Sequence, residues 1–255
     1  MERSYDKDVK LFMVFDLLGD LERKGPLLWH ISRKRLEDVK DHILDLILIT
    51  RILRRRFPNC LDYDKIYDYI ICHDLPEAIT DDITKYEGIP DEEKRRVTRL
   101  AIDFLDEKFH SIMDFKGIIG NYEARIDLES KVVNMVDKVH SSTTFMKYQS
   151  EENIDVDNPD IIPVLRYLPF VAESIDEGKD VADIFYEVHI RAVKISDEEC
   201  EKYHISRETA DQIVDVIRGF ADEFYAQKLK RALFDGYQEF PKEAMQYSRK
   251  EKGLF

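Results

Sequence analysis

Apolar residues recur at three- and four-residue spacing along most of the chain, which is the pattern of amphipathic helices. The segment 9–21 shows this pattern first and is followed by Gly25-Pro26, a pair that stops a helix. From His42 to Phe57 the chain is apolar nearly all round until it reaches a basic end. This segment is predicted to be a central, mostly buried helix whose C-terminal cations interact favourably with the helix dipole, and Asp41 is expected to cap or open it.

The same periodicity predicts helices in the rest of the chain. They cover residues 62–72, 92–115, 129–150, 161–173, 181–195 and 207–234. Pro76 is expected to break or restart the chain, the polar stretch 80–91 to be a loop, and the acidic stretch 151–160 to be a linker. The sequence therefore predicts an all-α protein in which residues 1–150 form one domain. Residues 151–255 are expected to form a C-terminal helical extension, either separate or packed on the same domain.

The composition agrees with a helical, globular protein. Hydrophobic residues make up 44% of the 255 residues, which is enough for a sizeable core. Only 9 Gly and 8 Pro are present, which argues against turn-dense β-sandwiches and β-barrels. With 39 Lys and Arg against 53 Asp and Glu, the net charge of −14 argues against a nucleic-acid binder, because phosphate backbones are held by clustered cations. A small anionic ligand in a local cationic pocket is compatible with this charge.

The cysteines and the most apolar segment indicate the cellular compartment in which the protein is expected to reside. Three cysteines lie far apart, at Cys60, Cys72 and Cys200. They match neither a disulfide framework nor a paired zinc motif, which favours a reducing compartment. The most apolar stretch, Ile43 to Leu53, is interrupted by Asp45 and Arg51 and is too short to cross a bilayer, and no signal peptide is visible at the N-terminus. We therefore expect a cytoplasmic protein with no membrane partner.

Four side chains stand out as candidate metal ligands. His42 opens one apolar helix, His73 and Asp74 end the next, and Asp137 lies inside an apolar run. An unpartnered carboxylate on a buried face is costly, so Asp137 needs a metal ion or a cationic side chain beside it. Two imidazoles and two carboxylates suit a divalent ion, and such an ion promotes phosphoester hydrolysis by lowering the pKa of bound water. The alternative is a helix-terminal His-Asp pair, with Asp137 meeting a nearby Lys or Arg.

Motifs surround these residues. The segments are EDVKDH at 37–42, HDLPEAITDD at 73–82, GIPDEEK at 88–94 and VDK at 136–138. They resemble the motifs of the HD-domain metal-dependent phosphohydrolases, whose signature is a first His, an HD pair and a distant Asp on helices. The closest similarity is to the HD-domain 5′-deoxynucleotidase family, because HD-x-x-E-x-x-x-x-D occurs together with an upstream E-x-V-x-x-H. The resemblance covers about residues 9–150 and implies an HD-domain helical fold.

The resemblance implies a role for each matching residue. The metal ligands are His42, His73, Asp74 and Asp137, which hold one divalent ion: Mn, Co, Ni, Fe, Zn or Mg. Glu77 and Asp82 take the catalytic positions, where Glu77 positions or deprotonates the attacking water and Asp82 orients that water or holds a substrate hydroxyl. Glu77 follows His73 by four residues, so both face one side if a helical turn continues past Pro76. Without the motif match, Glu77 would be interpreted as an acid at a helix N-terminus and Asp82 as a capping residue.

The substrate-binding residues depart from the family pattern. Bacterial members carry an Arg-Trp pair at the phosphate pocket, whereas here Trp29 follows Leu28. The nearest candidate cations for the phosphate are Lys24, Arg33 and Arg35. Together with Trp29, these three residues form the expected substrate-binding set.

Two further histidines bear on the metal site. Two-metal HD phosphodiesterases add histidines between the HD pair and the last Asp, and here only His110 lies in that interval, which favours one metal ion. His140 follows Asp137 by three residues. It either supports a metal ligand or has a core or substrate-facing role.

These features predict a metal-dependent phosphohydrolase that acts on nucleotides. The expected activity is that of a 5′-nucleotidase, which releases inorganic phosphate from nucleoside or deoxynucleoside 5′-monophosphates. Two alternatives stay open: a dNTP triphosphohydrolase with the same four ligands, and a non-catalytic HD protein that binds a nucleotide. The expected partner is a small-molecule nucleotide rather than a nucleic acid, and the resemblance implies a homodimer.

Overall fold

The computed structural model describes residues 6–23, 36–83, 88–152 and 181–229. Within these ranges the chain forms ten helices: α1 (Asp6–Leu17), α2 (Val39–Arg56), α3 (Tyr63–Cys72), α4 (Glu77–Thr80), α5 (Asp91–Phe109), α6 (Phe115–Ala124), α7 (Leu128–Glu152), α8 (Val181–Ala192), α9 (Asp197–Tyr203) and α10 (Arg207–Leu229). The β pairing in the same ranges is an isolated antiparallel bridge between Glu22 and Asp38, so the all-α prediction is confirmed. Among these helices, none is long and apolar enough to cross a membrane.

Helix α7 lies at the centre of the fold and packs against α2, α3, α6, α8 and α10. Four of its valines are almost completely buried: Val132, Val133, Val136 and Val139. Their spacing follows the helical period and forms one apolar face. Because Asp137 and His140 lie in the same segment, the packing that buries the valines also brings polar side chains towards the interior.

Helix α2 begins at Val39, before His42. Asp38 is its N-cap, and a carboxylate oxygen of Asp38 accepts a hydrogen bond from the Asp41 backbone N–H at 2.7 Å. The expectation that Asp41 caps or opens the helix is therefore wrong, because Asp38 satisfies the first turn and Asp41 already lies in it. The earlier start buries Val39 and places the fully buried His42 within the first turns of the helix.

The connection between α3 and α4 presents the histidine–aspartate pair. Helix α3 ends with His73 at its C-cap, and residues 73–76 form turns. Pro76 then precedes α4, so the prediction that the chain breaks or restarts at Pro76 is confirmed. The Glu77 N–H donates to the Asp74 carbonyl oxygen at 3.0 Å, which holds Glu77 about one turn beyond the pair.

The predicted helix 92–115 is wrong at its C-terminal end, because two helices replace it. Helix α5 ends at Phe109, and α6 begins at Phe115 after Asp114, whose carboxylate accepts the Gly117 N–H at 2.9 Å. Both phenylalanines are buried. The intervening turn therefore returns the chain to the core, and the cap at Asp114 favours a new helix over a continued one.

Other boundaries also differ from the hydrophobic pattern. Helix α1 ends at Leu17 and α8 at Ala192, both earlier than predicted. The pattern does not predict α9, which starts with a capping box: the Ser196 hydroxyl accepts the Glu199 N–H at 3.2 Å, and the Glu199 carboxylate accepts the Ser196 N–H at 2.8 Å.

Several predicted elements lie partly or wholly outside the described residues. The helix predicted at 161–173 lies outside them, as do residues 230–234 of the last predicted helix. Of the predicted linker 151–160, Glu151 and Glu152 belong to α7, and the rest lies outside the described ranges.

Helices α8 to α10 share a hydrophobic core with the N-terminal helices. Val193, Ile213 and Ile217 belong to the same buried cluster as Leu46 and Val136. The division of the chain at residue 150 stays a prediction. The shared core favours the arrangement in which the C-terminal extension packs on the first domain.

Leu46→Ala is expected to lower the free energy of unfolding by about 2–5 kcal/mol, because Leu46 is fully buried and its truncation leaves a cavity. Leu44→Ala is the matched control in the same helix, since Leu44 is 54% exposed. It should change the free energy of unfolding by less than about 0.5 kcal/mol. Urea denaturation measures both values, and equal losses would contradict this burial pattern of α2.

Candidate metal centre

Three helical segments bring the four predicted metal ligands together. The His42 Nε2 atom, on α2, lies 3.4 Å from Asp137 Oδ1 of α7 and 3.5 Å from Asp74 Oδ2 at the end of α3. The His73 Nε2 atom lies 3.2 Å from the same Asp74 oxygen. Donor atoms about 2.1 Å from a shared ion lie roughly 3.0–3.5 Å apart. The three measured distances fall in this range, and one donor atom each from His42, His73 and Asp137 lies within 4.8 Å of the others, which fits a shared ion with Asp74 beside it.

Two buried ring nitrogens support this fit. In the described part of the chain, the Nε2 atoms of His42 and His73 are buried and make no hydrogen bond. Buried polar atoms are normally hydrogen-bonded, so each such atom needs an explanation. The His73 Nδ1 atom lies 2.8 Å from the Ile70 carbonyl oxygen and donates to it, which leaves the lone pair on Nε2. Two imidazole nitrogens with two carboxylates form a donor set that suits a borderline divalent ion.

The protonation of His42 and Asp137 also suits metal binding. Burial, reinforced by the positive charge of Arg23, lowers the pKa of His42 well below its usual range and keeps the ring neutral. Burial alone would raise the pKa of Asp137, but the charges of Lys138, His73 and Arg23 outweigh it and lower the pKa to about 2. A neutral imidazole and an ionised carboxylate are the forms that bind a metal.

A polar cavity of about 230 Å³ opens beside these side chains. Its lining residues are Arg23, His73, Asp74, Glu77, Asp82, Tyr122, Asn134, Asp137 and Lys138. Both predicted catalytic acids, Glu77 and Asp82, are therefore brought to the predicted metal ligands. Burial, together with the negative charges of Asp74 and Asp82, raises the pKa of Glu77 well above its usual range. A carboxylate with a raised pKa is a stronger base and a candidate for proton transfer.

Two cations line the cavity, Arg23 and Lys138, and neither was among the phosphate-binding residues predicted from the sequence. Arg23 Nη1 lies 3.3 Å from Glu37 Oε2, and Lys138 Nζ lies 3.1 Å from Asp137 Oδ2. The position of Lys138 directly after a predicted ligand is a signal that could have identified it. Arg23 is placed by a backbone hydrogen bond to the Glu37 carbonyl oxygen at 3.0 Å, beside the isolated bridge, and no periodic pattern indicates such a pairing.

The predicted substrate-binding residues lie outside the described ranges. They are Lys24, Trp29, Arg33 and Arg35. Their part in the site stays a prediction. Tyr122 and Asn134, which line the cavity, were not predicted, and Tyr122 lies on the unpredicted helix α6.

A second group of ionisable residues lies behind His42. His140 Nε2 is 3.1 Å from Glu37 Oε1 and 3.2 Å from Asp45 Oδ2. His140 and Asp45 also line a second cavity of about 290 Å³, with Phe220 and Phe224 of α10 among its other lining residues. The other lining residues are the aliphatic Leu48, Ile49 and Ile52 of α2 together with Thr143 and Thr144 of α7.

A third group, formed by Asp106, His110 and Asp114, lies at the surface, where the His110 side chain is 65% exposed. The His110 Nδ1 atom lies 3.0 Å from Asp106 Oδ1, so an ordinary surface hydrogen bond accounts for this contact. His110 is not among the residues that line the polar cavity.

Comparison with known proteins gives matches at the levels of family, sequence and fold. A family model described as HD domain matches residues 19–163. Human 5′-deoxynucleotidase HDDC2 is 24% identical over 152 residues, which cover 56% of this chain and 70% of the human protein. The mouse protein of the same name is 25% identical over 146 residues, covering 54% and 69%. The PH0347 protein from Pyrococcus horikoshii OT3 shares the fold, with a TM-score of 0.51 at 20% identity over 82% of this chain and 98% of that one.

His73→Ala is expected to abolish tight binding of the single divalent ion, because it removes one of the two buried ring nitrogens. His110→Ala is the matched control, since it alters the exposed group of carboxylates and histidine. Elemental analysis after dialysis should find about one metal per chain in the wild type and in His110→Ala. Retention of metal by His73→Ala, or its loss from His110→Ala, would contradict this assignment.

Proposed function

The chain belongs to the HD-domain family, as its motifs predict, and from this premise we propose that it is a metal-dependent phosphohydrolase of nucleotides. The proposed activity is that of a 5′-nucleotidase, which releases inorganic phosphate from nucleoside or deoxynucleoside 5′-monophosphates. The observation that carries this proposal is the polar cavity, where Glu77 and Asp82 lie beside three of the four candidate ligands, His73, Asp74 and Asp137. The similarity to proteins named 5′-deoxynucleotidase supports the same class of substrate.

The chemistry divides among the lining residues. His42, His73, Asp74 and Asp137 would hold the divalent ion, which would supply Lewis acidity that lowers the pKa of water and polarises a phosphoryl group. Glu77 accepts a proton from the attacking water as the water oxygen bonds to phosphorus. The P–O5′ bond then breaks, and the leaving 5′-oxygen takes up a proton from an acid or from solvent. Asp82 orients that water or holds a substrate hydroxyl. Arg23 and Lys138 bind phosphate oxygens and offset the charge that develops on them.

The charge and size of the cavity favour a monophosphate. Arg23 and Lys138 are the cations that line it among the described residues, which is enough for one phosphate group but sparse for three. Its volume of about 230 Å³ lies below the usual range for a pocket that encloses a whole drug-sized ligand. We infer that the phosphate enters the cavity and that the nucleoside extends from it.

The activity is tested by a phosphate-release screen with purified protein. Nucleoside mono-, di- and triphosphates are each incubated with Mn²⁺, Co²⁺, Ni²⁺, Zn²⁺ or Mg²⁺. Release of inorganic phosphate and nucleoside from monophosphates supports the proposal. Release of tripolyphosphate from dNTPs would instead identify a triphosphohydrolase. Absence of product from every nucleotide, in protein that has bound metal, would contradict an enzymatic role.

Glu77→Gln is expected to lower kcat by about 10²–10⁴-fold while retaining the metal, because glutamine keeps the size of the side chain but cannot accept a proton. Glu92→Gln changes an exposed carboxylate at the start of α5 and serves as the control with unchanged kcat. Steady-state kinetics and elemental analysis of both variants provide the measurement. Wild-type turnover in Glu77→Gln would exclude Glu77 as the base.

Lys138→Met is expected to lower kcat/KM for the monophosphate about 10–100-fold, mainly through KM, because a charged hydrogen bond to the phosphate is lost. Lys116→Met is the control, since Lys116 is exposed and pairs with Asp103 at 2.7 Å. Metal content is measured in parallel, because Lys138 also contacts the candidate ligand Asp137. An unchanged KM, with metal fully retained, would exclude Lys138 from phosphate binding.

A further inference from the structure

His42 is in contact with a second buried histidine on the side of its ring that faces away from the candidate ligands. The Nδ1 atoms of His42 and His140 lie 2.9 Å apart, and the ring centroids lie 4.7 Å apart. Both side chains are buried, with 0% and 2% of their surfaces exposed. His140 therefore has no role at the surface, and its ring nitrogens must find partners inside the protein.

The contact has a required direction when His42 binds a metal. A neutral imidazole that offers the Nε2 lone pair carries its proton on Nδ1, and this buried N–H needs an acceptor. Two groups lie within reach of His42 Nδ1: Arg23 Nη1 at 3.1 Å and His140 Nδ1 at 2.9 Å. A guanidinium group has donors but no acceptor. Of these two neighbours, only His140 can accept the His42 proton.

The second ring nitrogen of His140, Nε2, lies beside hydrogen-bond acceptors. If His140 Nδ1 accepts, the proton of the neutral ring lies on Nε2, and this atom is 3.1 Å from Glu37 Oε1 and 3.2 Å from Asp45 Oδ2. Both neighbours are carboxylate oxygens, which accept hydrogen bonds. The carboxylates thus orient His140, and His140 in turn orients His42.

Glu37 also limits the competition from Arg23. Its Oε2 atom lies 3.3 Å from Arg23 Nη1, so the guanidinium has an anionic partner of its own. The other oxygen of Glu37, Oε1, is the one that contacts His140 Nε2, so a single carboxylate engages both neighbours of His42 Nδ1.

We propose that His140 is a positioning residue of the metal centre, which accepts the Nδ1–H of His42 and fixes the tautomer that presents Nε2 to the metal. The inference rests on the metal centre of the proposed function but not on its substrate. Hydrogen-bond partners of metal-binding histidines contribute about 10–100-fold to metal affinity. Here a histidine backed by two carboxylates takes the place that a single carboxylate or carbonyl group commonly occupies.

The first test compares His140→Leu with His140→Asn. Leucine removes the acceptor and is expected to weaken Zn²⁺ binding about 10–100-fold. Asparagine can place an oxygen near the position of Nδ1 and should restore most of the affinity. Thr144→Val is the control, because its hydroxyl lies 3.4 Å from His140 Nε2 and not at the Nδ1 contact. Zn²⁺ affinity is measured by competition with a chelator, and the melting temperature of chelator-treated protein reports any structural loss.

The outcomes of this comparison are distinct. Wild-type Zn²⁺ affinity in His140→Leu, or equal weakening in the Leu and Asn variants, would overturn the proposal. A wild-type protein that binds no divalent ion would overturn the proposed metal centre together with this inference. Failure of the phosphate-release screen alone would leave it intact, since no substrate enters the measurement.

The second test needs no substitution and so does not depend on the folding of a variant. Nuclear magnetic resonance of ¹⁵N-histidine-labelled wild-type protein loaded with Zn²⁺ reports which ring nitrogens carry protons. His42 is expected to be protonated at Nδ1, and His140 at Nε2 but not at Nδ1. A proton on His140 Nδ1 in the Zn²⁺-loaded protein would overturn the proposal.

Discussion

The packing of α7 against α2 and α3 gathers charged side chains into a small, half-buried volume. Four carboxylates line the polar cavity: Asp74, Glu77, Asp82 and Asp137. The cations Arg23 and Lys138 line it among the described residues, so the acidic side chains outnumber the basic ones by two. Bringing carboxylates together in a partly buried site costs free energy unless opposite charge compensates. One divalent cation at the proposed centre would supply the missing charge, and the buried apolar face of α7 fixes the position of the candidate ligand Asp137.

Glu37 connects the two sides of this site. One of its oxygens contacts Arg23, which faces the cavity, and the other contacts His140, which lies behind His42. Glu37 directly precedes the N-cap of α2, so the backbone that starts the helix also fixes this carboxylate. These contacts explain the glutamate of the motif upstream of His42. Glu37 holds Arg23 towards the cavity and His140 towards the candidate ligand His42.

The convergence of the four candidate ligands was predictable because each lies on, or at the end of, a helix with strong hydrophobic periodicity, and the HD motif fixes their spacing. Arg23 was missed because an isolated backbone pairing places it, and such pairings between irregular segments leave no periodic signal. Tyr122 was missed because the apolar pattern of α5 runs on past the cap at Asp114. For His140, spacing indicated a position near Asp137, but which ring nitrogen meets which partner depends on the packing of α2 against α7.

Through Phe220 and Phe224, the C-terminal part of the chain contributes to the surroundings of the candidate metal centre. They lie on α10, beyond the segment 19–163 that the HD-domain family model matches, yet they line the apolar cavity next to His140. Apolar walls exclude water and strengthen hydrogen bonds beside them. Sequence divergence within α10 can consequently retune the dielectric surroundings of the centre while every residue of the HD motif stays unchanged.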